Sequence, residues 1–151
     1  MRDSTKSLVD QFKDPEYRET YAEEYLNAYV AAQIRTIREQ RDLTQEQLAD
    51  LVNTKQTGIS RVENINYSSW NVATLKKIAF ALGCRLHVSL ETFGSLLDEG
   101  ASLSREALKR PKFEDDPAFA RHKTKSAPTV RQTNRDDSAT RLSRGRVRAR
   151  G

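Results

Sequence analysis

LTQEQLADLVNTKQTGISRVEN, residues 43–64, is the stretch from which the fold can be read. Thr44 is a good N-cap, with Glu46 and Gln47 in the first turn after it to favour a helix start. Leu48, Ala49 and Val52 then recur at i, i+1 and i+4, one apolar face of a short helix. Asn53 follows, and Asn is the best non-glycine residue for a left-handed turn conformation. A second helix starts near Gln56, with Ile59 and Val62 on its buried side. Lys55, Gln56, Thr57, Ser60 and Arg61 are left on the outer side. The pattern predicts two short helices joined by a turn of three or four residues.

A pair of this size is a helix-turn-helix, whose second helix fits a DNA major groove. The stretch resembles the lambda-repressor/Cro-like (XRE-type) helix-turn-helix family. The matching residues are Leu43-Thr44-Gln45-Glu46, Leu48-Ala49, Gln56, Ile59-Ser60-Arg61 and Glu63-Asn64, then Thr74-Leu75, Ile78-Ala79 and Ala81-Leu82-Gly83. They keep the family spacing without a gap from Leu43 to Asn64, and the resemblance covers residues 28–90. Three positions depart from it. Asn53 replaces the turn glycine, Asp42 replaces the glycine that ends the preceding helix, and Gly58 lies inside the second helix at a cost of about 1 kcal/mol relative to Ala.

The resemblance implies roles for named residues. Lys55, Gln56, Thr57, Ser60 and Arg61 would face base edges, Gln being suited to adenine and Arg to guanine through paired hydrogen bonds. Thr44, Gln45, Asn64, Asn66 and Tyr67 would meet phosphates, Thr44 also orienting the end of the first helix. Arg38 would form an inward salt bridge to Glu63. Taken as residues alone, these two charges could equally be a solvated surface pair of little worth.

Outside this stretch the chain reads in segments. Residues 1–14 show no sustained period and are expected to be a flexible arm. Asp14-Pro15-Glu16 reads as N-cap, N1 proline and acidic first turn. Tyr17, Tyr21 and Tyr25 form an aromatic stripe at i, i+4, read as helix packing rather than a cofactor site. Asn27 either caps a new helix or sits inside a continuous one. Val30, Ile34 and Ile37 continue on one face. After a polar loop, Asn71 caps a helix over residues 72–82 with Leu75, Ile78, Ala79 and Leu82 buried and Gly83 as its stop. Then the period changes to two. Leu86, Val88 and Leu90 alternate with Arg85, His87 and Ser89, a strand. With no second strand in the sequence, its partner is expected from another copy of the chain. From residue 100 the composition shifts, and residues 100–151 read as a largely disordered basic tail, with one or two helical turns expected at residues 104–110 before Pro111 and another at residues 117–120. Five Arg fall within its last eleven residues. That end is either a solvating tail or a non-specific phosphate-binding arm.

Charge follows the same division. Residues 1–99 hold 12 Lys and Arg against 15 Asp and Glu, a net of −3, while residues 100–151 hold 14 against 6, a net of +8. The basic character therefore belongs to the tail and cannot be credited to the helix pair. One Cys, Cys84, excludes an internal disulfide, and no apolar run approaches the roughly 18 residues that cross a membrane. There is no secretory h-region, so a cytoplasmic protein is the default. Two distant His leave no metal site, no cofactor motif is present, and no nucleophile–base pair suggests an enzyme.

The expected fold is thus mostly α, a lambda-repressor-like bundle over residues 15–99 with one dimer-pairing strand and a disordered tail. The expected function is a sequence-specific transcriptional regulator, a repressor, that binds a palindromic operator in double-stranded DNA as a homodimer. One alternative is an antitoxin whose tail contacts a toxin protein. Another is an interaction module whose helix pair no longer binds DNA, since no Lys or Arg lies between Val62 and Leu75.

Overall fold

The computed structural model of the chain describes residues 2–99 and 102–123. Its helices are α1 (Arg2–Gln11), α2 (Pro15–Gln40), α3 (Gln45–Leu51), α4 (Gln56–Val62), α5 (Val72–Ala81), α6 (Arg105–Leu108) and α7 (Pro117–Lys123), with single 3₁₀ turns at Phe93–Leu97 and Phe113–Asp115. Helix starts follow local chemistry. The Asp14 carboxylate accepts from the Glu16 N–H and Pro15 opens α2. Thr44 and Gln47 form a reciprocal capping box on α3. The Asn71 and Ser104 side chains accept from the N–H groups of Thr74 and Ala107. These caps satisfy donors that a helix start otherwise leaves open.

α2 is one unbroken helix of 26 residues, about 39 Å long, with Asn27 in its interior. Its C-terminal half supplies Ile34 and Ile37 to the core. α3 adds Leu48 and Ala49, α4 adds Ile59 and Val62, and α5 with its cap adds Leu75, Ile78 and Leu82. Leu43, Val52, Tyr67, Trp70 and Leu86 are half-buried around this cluster. The N-terminal half of α2 carries the tyrosine stripe. Phe12 closes on Tyr21 at 5.1 Å between ring centroids, and Tyr25 stacks on Tyr29 at 6.1 Å. The Arg18 guanidinium lies 5.4 Å over the Phe93 ring, a cation–π contact that ties the 3₁₀ turn to α2. Tyr25 donates its hydroxyl to the Glu99 carbonyl at 3.4 Å. Burial, with the nearby Glu99, pushes its phenol up to about 12.

Two turns need a left-handed backbone at a residue with a side chain, Asp42 and Asn53, both at φ 55°. Short polar side chains tolerate that region best. At Gly83 the requirement is stricter. Its φ is 71°, and a Cβ there would stand 3.2 Å from the Lys112 Cβ, so the position excludes a side chain on two grounds.

Lys112 lies there because the chain after residue 102 returns to the bundle. Residues 104–112 cross the C-terminal end of α2 as a strap. Leu108 is 1% exposed, on α6 where it packs against α2. Arg41 donates to the Leu82 carbonyl at 3.1 Å and to the Arg110 carbonyl at 2.9 Å. The Gln40 side-chain oxygen accepts from the Arg110 N–H at 3.1 Å, and Arg105 pairs with Glu39 at 2.9 Å.

The sequence-based boundaries are corrected at three places. Residues 2–11, expected as an arm, form α1, because packing of Phe12 against the tyrosines and of α1 against the 3₁₀ turn substitutes for a periodic apolar face. Residues 102–123, assigned to the tail, hold α6 and α7 where short helical turns are expected, but Leu108 is buried, so α6 belongs to the folded unit. Residues 84–92, with Leu86, Val88 and Leu90, form neither helix nor ladder. No strand exists among the described residues, since a lone extended segment has nothing to pair with. The Arg-rich end, residues 124–151, lies outside the described residues.

Leu108→Ala should destabilise the protein by about 2–4 kcal/mol, as expected for a fully buried leucine. Urea unfolding followed by circular dichroism measures it. A change under about 0.5 kcal/mol would mean that the strap is not part of the folded unit.

Candidate nucleic-acid interface

α3 and α4 make the most extensive helix contact in the molecule, with the turn Val52–Lys55 between them. Ile59 is 1% exposed and Val62 6%, which locks one face of α4 onto α3 and α2. With 3.6 residues per turn, the opposite face is thereby determined. Gln56, Thr57, Ser60 and Arg61 are all exposed, as is Lys55 at the N-cap. Among the described residues Lys55, Thr57, Ser60 and Arg61 make no side-chain hydrogen bond or ion pair. They are available to a ligand. Gly58 does not belong to this face. It is half-buried, and a Cβ there would meet the Thr54 hydroxyl at 3.1 Å, so its small size serves the contact between helix and turn.

Gln56 is the exception on the exposed face, because it is held. Its Nε2 donates to the Gln45 Oε1 at 2.7 Å, and the Gln45 Nε2 donates to the Glu63 Oε2 at 2.9 Å. The Glu63 carboxylate, 3% exposed, takes two further bonds from Arg38, from Nε at 2.5 Å and from Nη2 at 2.9 Å. Arg38 also donates Nη1 to the Leu43 carbonyl at 2.7 Å. Bidentate pairing to Glu63 holds the guanidinium proton more tightly than usual, with burial acting the other way. A continuous chain of hydrogen bonds therefore runs from a buried ion pair between α2 and the end of α4, through the first residue of α3, to the first residue of α4.

The remaining named residues divide into three kinds. Thr44 is exposed, and its hydroxyl caps α3 by accepting from the Gln47 N–H at 3.1 Å. Asn64 and Asn66 are exposed on the loop after α4, where the Asn64 side chain accepts from the Asn66 N–H at 2.9 Å. Tyr67 packs its ring against the core and donates its hydroxyl to the Ser69 carbonyl at 3.3 Å. Gln45, expected at a phosphate, uses both ends of its amide inside the protein, toward Glu63 and Gln56. Periodicity offers no sign of the Gln45–Gln56 bond. The available signal is positional: each helix of the pair begins with Gln, and the two starts face each other across the turn.

Residues 34–88 match a family model described as a helix-turn-helix, 55 of the 151 residues. The matched segment is therefore similar to helix-turn-helix domains of the lambda-repressor/Cro-like (XRE) type. No curated protein and no solved structure matches the chain. Among the described residues, no helix is long and apolar enough to cross a membrane.

Glu63→Ala should cost about 3–5 kcal/mol, because it leaves the Arg38 guanidinium buried without its counter-ion. Arg35→Ala, removing a cation that is 65% exposed, should cost under about 1 kcal/mol. Thermal and urea unfolding of both variants decide it. Equal effects would mean that the buried pair contributes no more than a surface pair.

Proposed function

We propose that this chain is a transcriptional regulator that reads a two-fold-symmetric DNA site as a homodimer, with α4 in the major groove. The observation that carries the reading is the asymmetry of α4. One side is anchored by Ile59 and Val62, and the other presents Gln56, Thr57, Ser60 and Arg61 to solvent. Gln56, at the N-terminal end of the helix, enters such a groove most deeply. With one amide N–H bonded to Gln45, it keeps its carbonyl oxygen and second N–H for the paired bond to an adenine. Arg61, without an internal partner among the described residues, is placed for guanine or phosphate. Thr44, Asn64 and Asn66 are exposed and would supply neutral donors to the phosphate backbone. Occupation of the site by a dimer would block a promoter that overlaps it, which makes repression the simplest outcome.

The dimer reading rests on residues 85–90. They alternate apolar and polar, expose Val88 by 70% and Leu90 by 100%, and have no pairing partner among the described residues. The antitoxin alternative draws on the tail beyond Lys123, and no observation on the described residues favours it.

Gln56→Ala should weaken binding to the matched site by about 1–3 kcal/mol and relax the preference at one base position per half-site. Binding-site selection from random DNA, with wild type and Gln56→Ala side by side, reads both effects. Identical motifs would remove Gln56 from base reading, and failure of wild type to select any motif would overturn the function.

The tail gives a separate test. Truncation after Lys123 removes eight Lys and Arg and two Asp, a net of +6, and none of the described core residues. Affinity for the selected site and for random DNA should fall by similar factors, with a shallower dependence on salt. An unchanged salt slope would place the tail off the DNA.

A further inference from the structure

The dimer proposed above leaves its register open, and the charges flanking the apolar residues select one. Resting on that dimer reading, we infer that two copies pair residues 85–91 antiparallel about a two-fold axis at Val88. In this register Arg85 of each copy faces Glu91 of the other. The segment has the right pattern for a two-sided strand. Leu86, Val88 and Leu90 share one face, with Leu86 half-buried against the core and the other two exposed. Arg85, His87, Ser89 and Glu91 share the other. The Ser89 hydroxyl donates to the Glu91 carboxylate at 3.0 Å, a contact between residues two apart on the same side.

Directly opposed residues in an antiparallel pair have positions that sum to twice the centre. Centred on residue 88, Leu86 faces Leu90, Val88 faces its own copy, His87 faces Ser89, and Arg85 faces Glu91, twice by symmetry. Centred on 87, Arg85 faces Ser89 and Glu91 faces Gly83, whose left-handed φ of 71° lies in a turn and not in a strand. Centred on 89, Arg85 faces Phe93, which lies in the 3₁₀ turn, and Leu86 faces Thr92. Only the centre at 88 sets every apolar residue against an apolar one and every full charge against its opposite. Both charges are available. Arg85 and Glu91 are exposed, and neither forms an ion pair among the described residues. Leu90, wholly exposed in one copy, is thereby set over Leu86 of the other, at the edge of the core. A strand from a different protein is the competing occupant, and it would leave this chain monomeric on its own.

The test uses the full chain with Cys84→Ser as background. Val88→Cys, His87→Cys and Ser89→Cys are oxidised in parallel and resolved on non-reducing gels, with sedimentation of each reduced sample. Opposed residues lie about 4.5–5.5 Å apart between Cα atoms, within disulfide reach, while residues offset by two positions exceed about 7 Å. Val88→Cys should form a covalent dimer rapidly, and the flanking variants should not. In addition, Arg85→Glu and Glu91→Arg should each weaken the dimer about tenfold, and the double variant should return to within about twofold of wild type. A dimer that crosslinks best at 87 or 89, or is not rescued by the double swap, overturns the register and leaves the dimer standing. A wild-type chain that sediments as a monomer overturns both.

Discussion

The pairing of Arg38 with Glu63 is the constraint around which the rest of the bundle is arranged. Two charges withdrawn from water are tolerable only when every lone pair and proton has a partner. Here the guanidinium bonds twice to the carboxylate and once to the Leu43 carbonyl, and the carboxylate takes a further bond from Gln45. Those partners come from α2, from the link before α3, from the first residue of α3 and from the residue after α4. The angle between the two helices of the motif is thus set by a polar centre as well as by apolar packing. The leucine and isoleucine cluster supplies the bulk of the adhesion. The ion pair makes one arrangement of those helices much better than its neighbours.

That arrangement reaches the exposed face of α4 by direct bonding. Gln45 joins the carboxylate at one end and Gln56 at the other, so the first side chain of α4 is oriented before any ligand arrives. Preorganisation of this kind reduces the entropy lost when a flexible side chain is fixed on binding. Lys55, Thr57, Ser60 and Arg61 have no such support among the described residues. The exposed face therefore contains one held side chain, Gln56, and several that are not held.

What was legible in the sequence was whatever repeats at helical spacing or follows cap chemistry. Leu48, Ala49, Ile59, Val62, Leu75, Ile78 and Leu82 belong to short periodic faces, and all are buried. Thr44, Asn71 and Asp14 could be read as caps because capping is a property of a few adjacent residues. The helical turn of the strap, after Ser104 and before Pro111, could be read this way, but its docking on α2 could not. A segment such as SREALKRPKF contributes one buried leucine and several backbone hydrogen bonds, and neither leaves a period. α1 leaves no period for the same reason, resting on Phe12 against the α2 tyrosines and on the 3₁₀ turn at Phe93–Leu97. The pattern at residues 85–90 fails differently. Alternation marks a segment that is able to pair, but a ladder requires a neighbour, and none lies among the described residues.

The bonded link between Gln45 and Gln56 divides the exposed face into parts that can diversify at different speeds. Thr57, Ser60 and Arg61 are free of internal ties among the described residues, so single substitutions there can shift target preference without disturbing the fold. Position 56 is not independent. Replacing its amide would strand one end of Gln45 and, through it, alter the surroundings of a buried carboxylate. Descendants of this chain that acquire new targets should therefore change first at positions 57, 60 and 61. They should change positions 45 and 56 together or not at all.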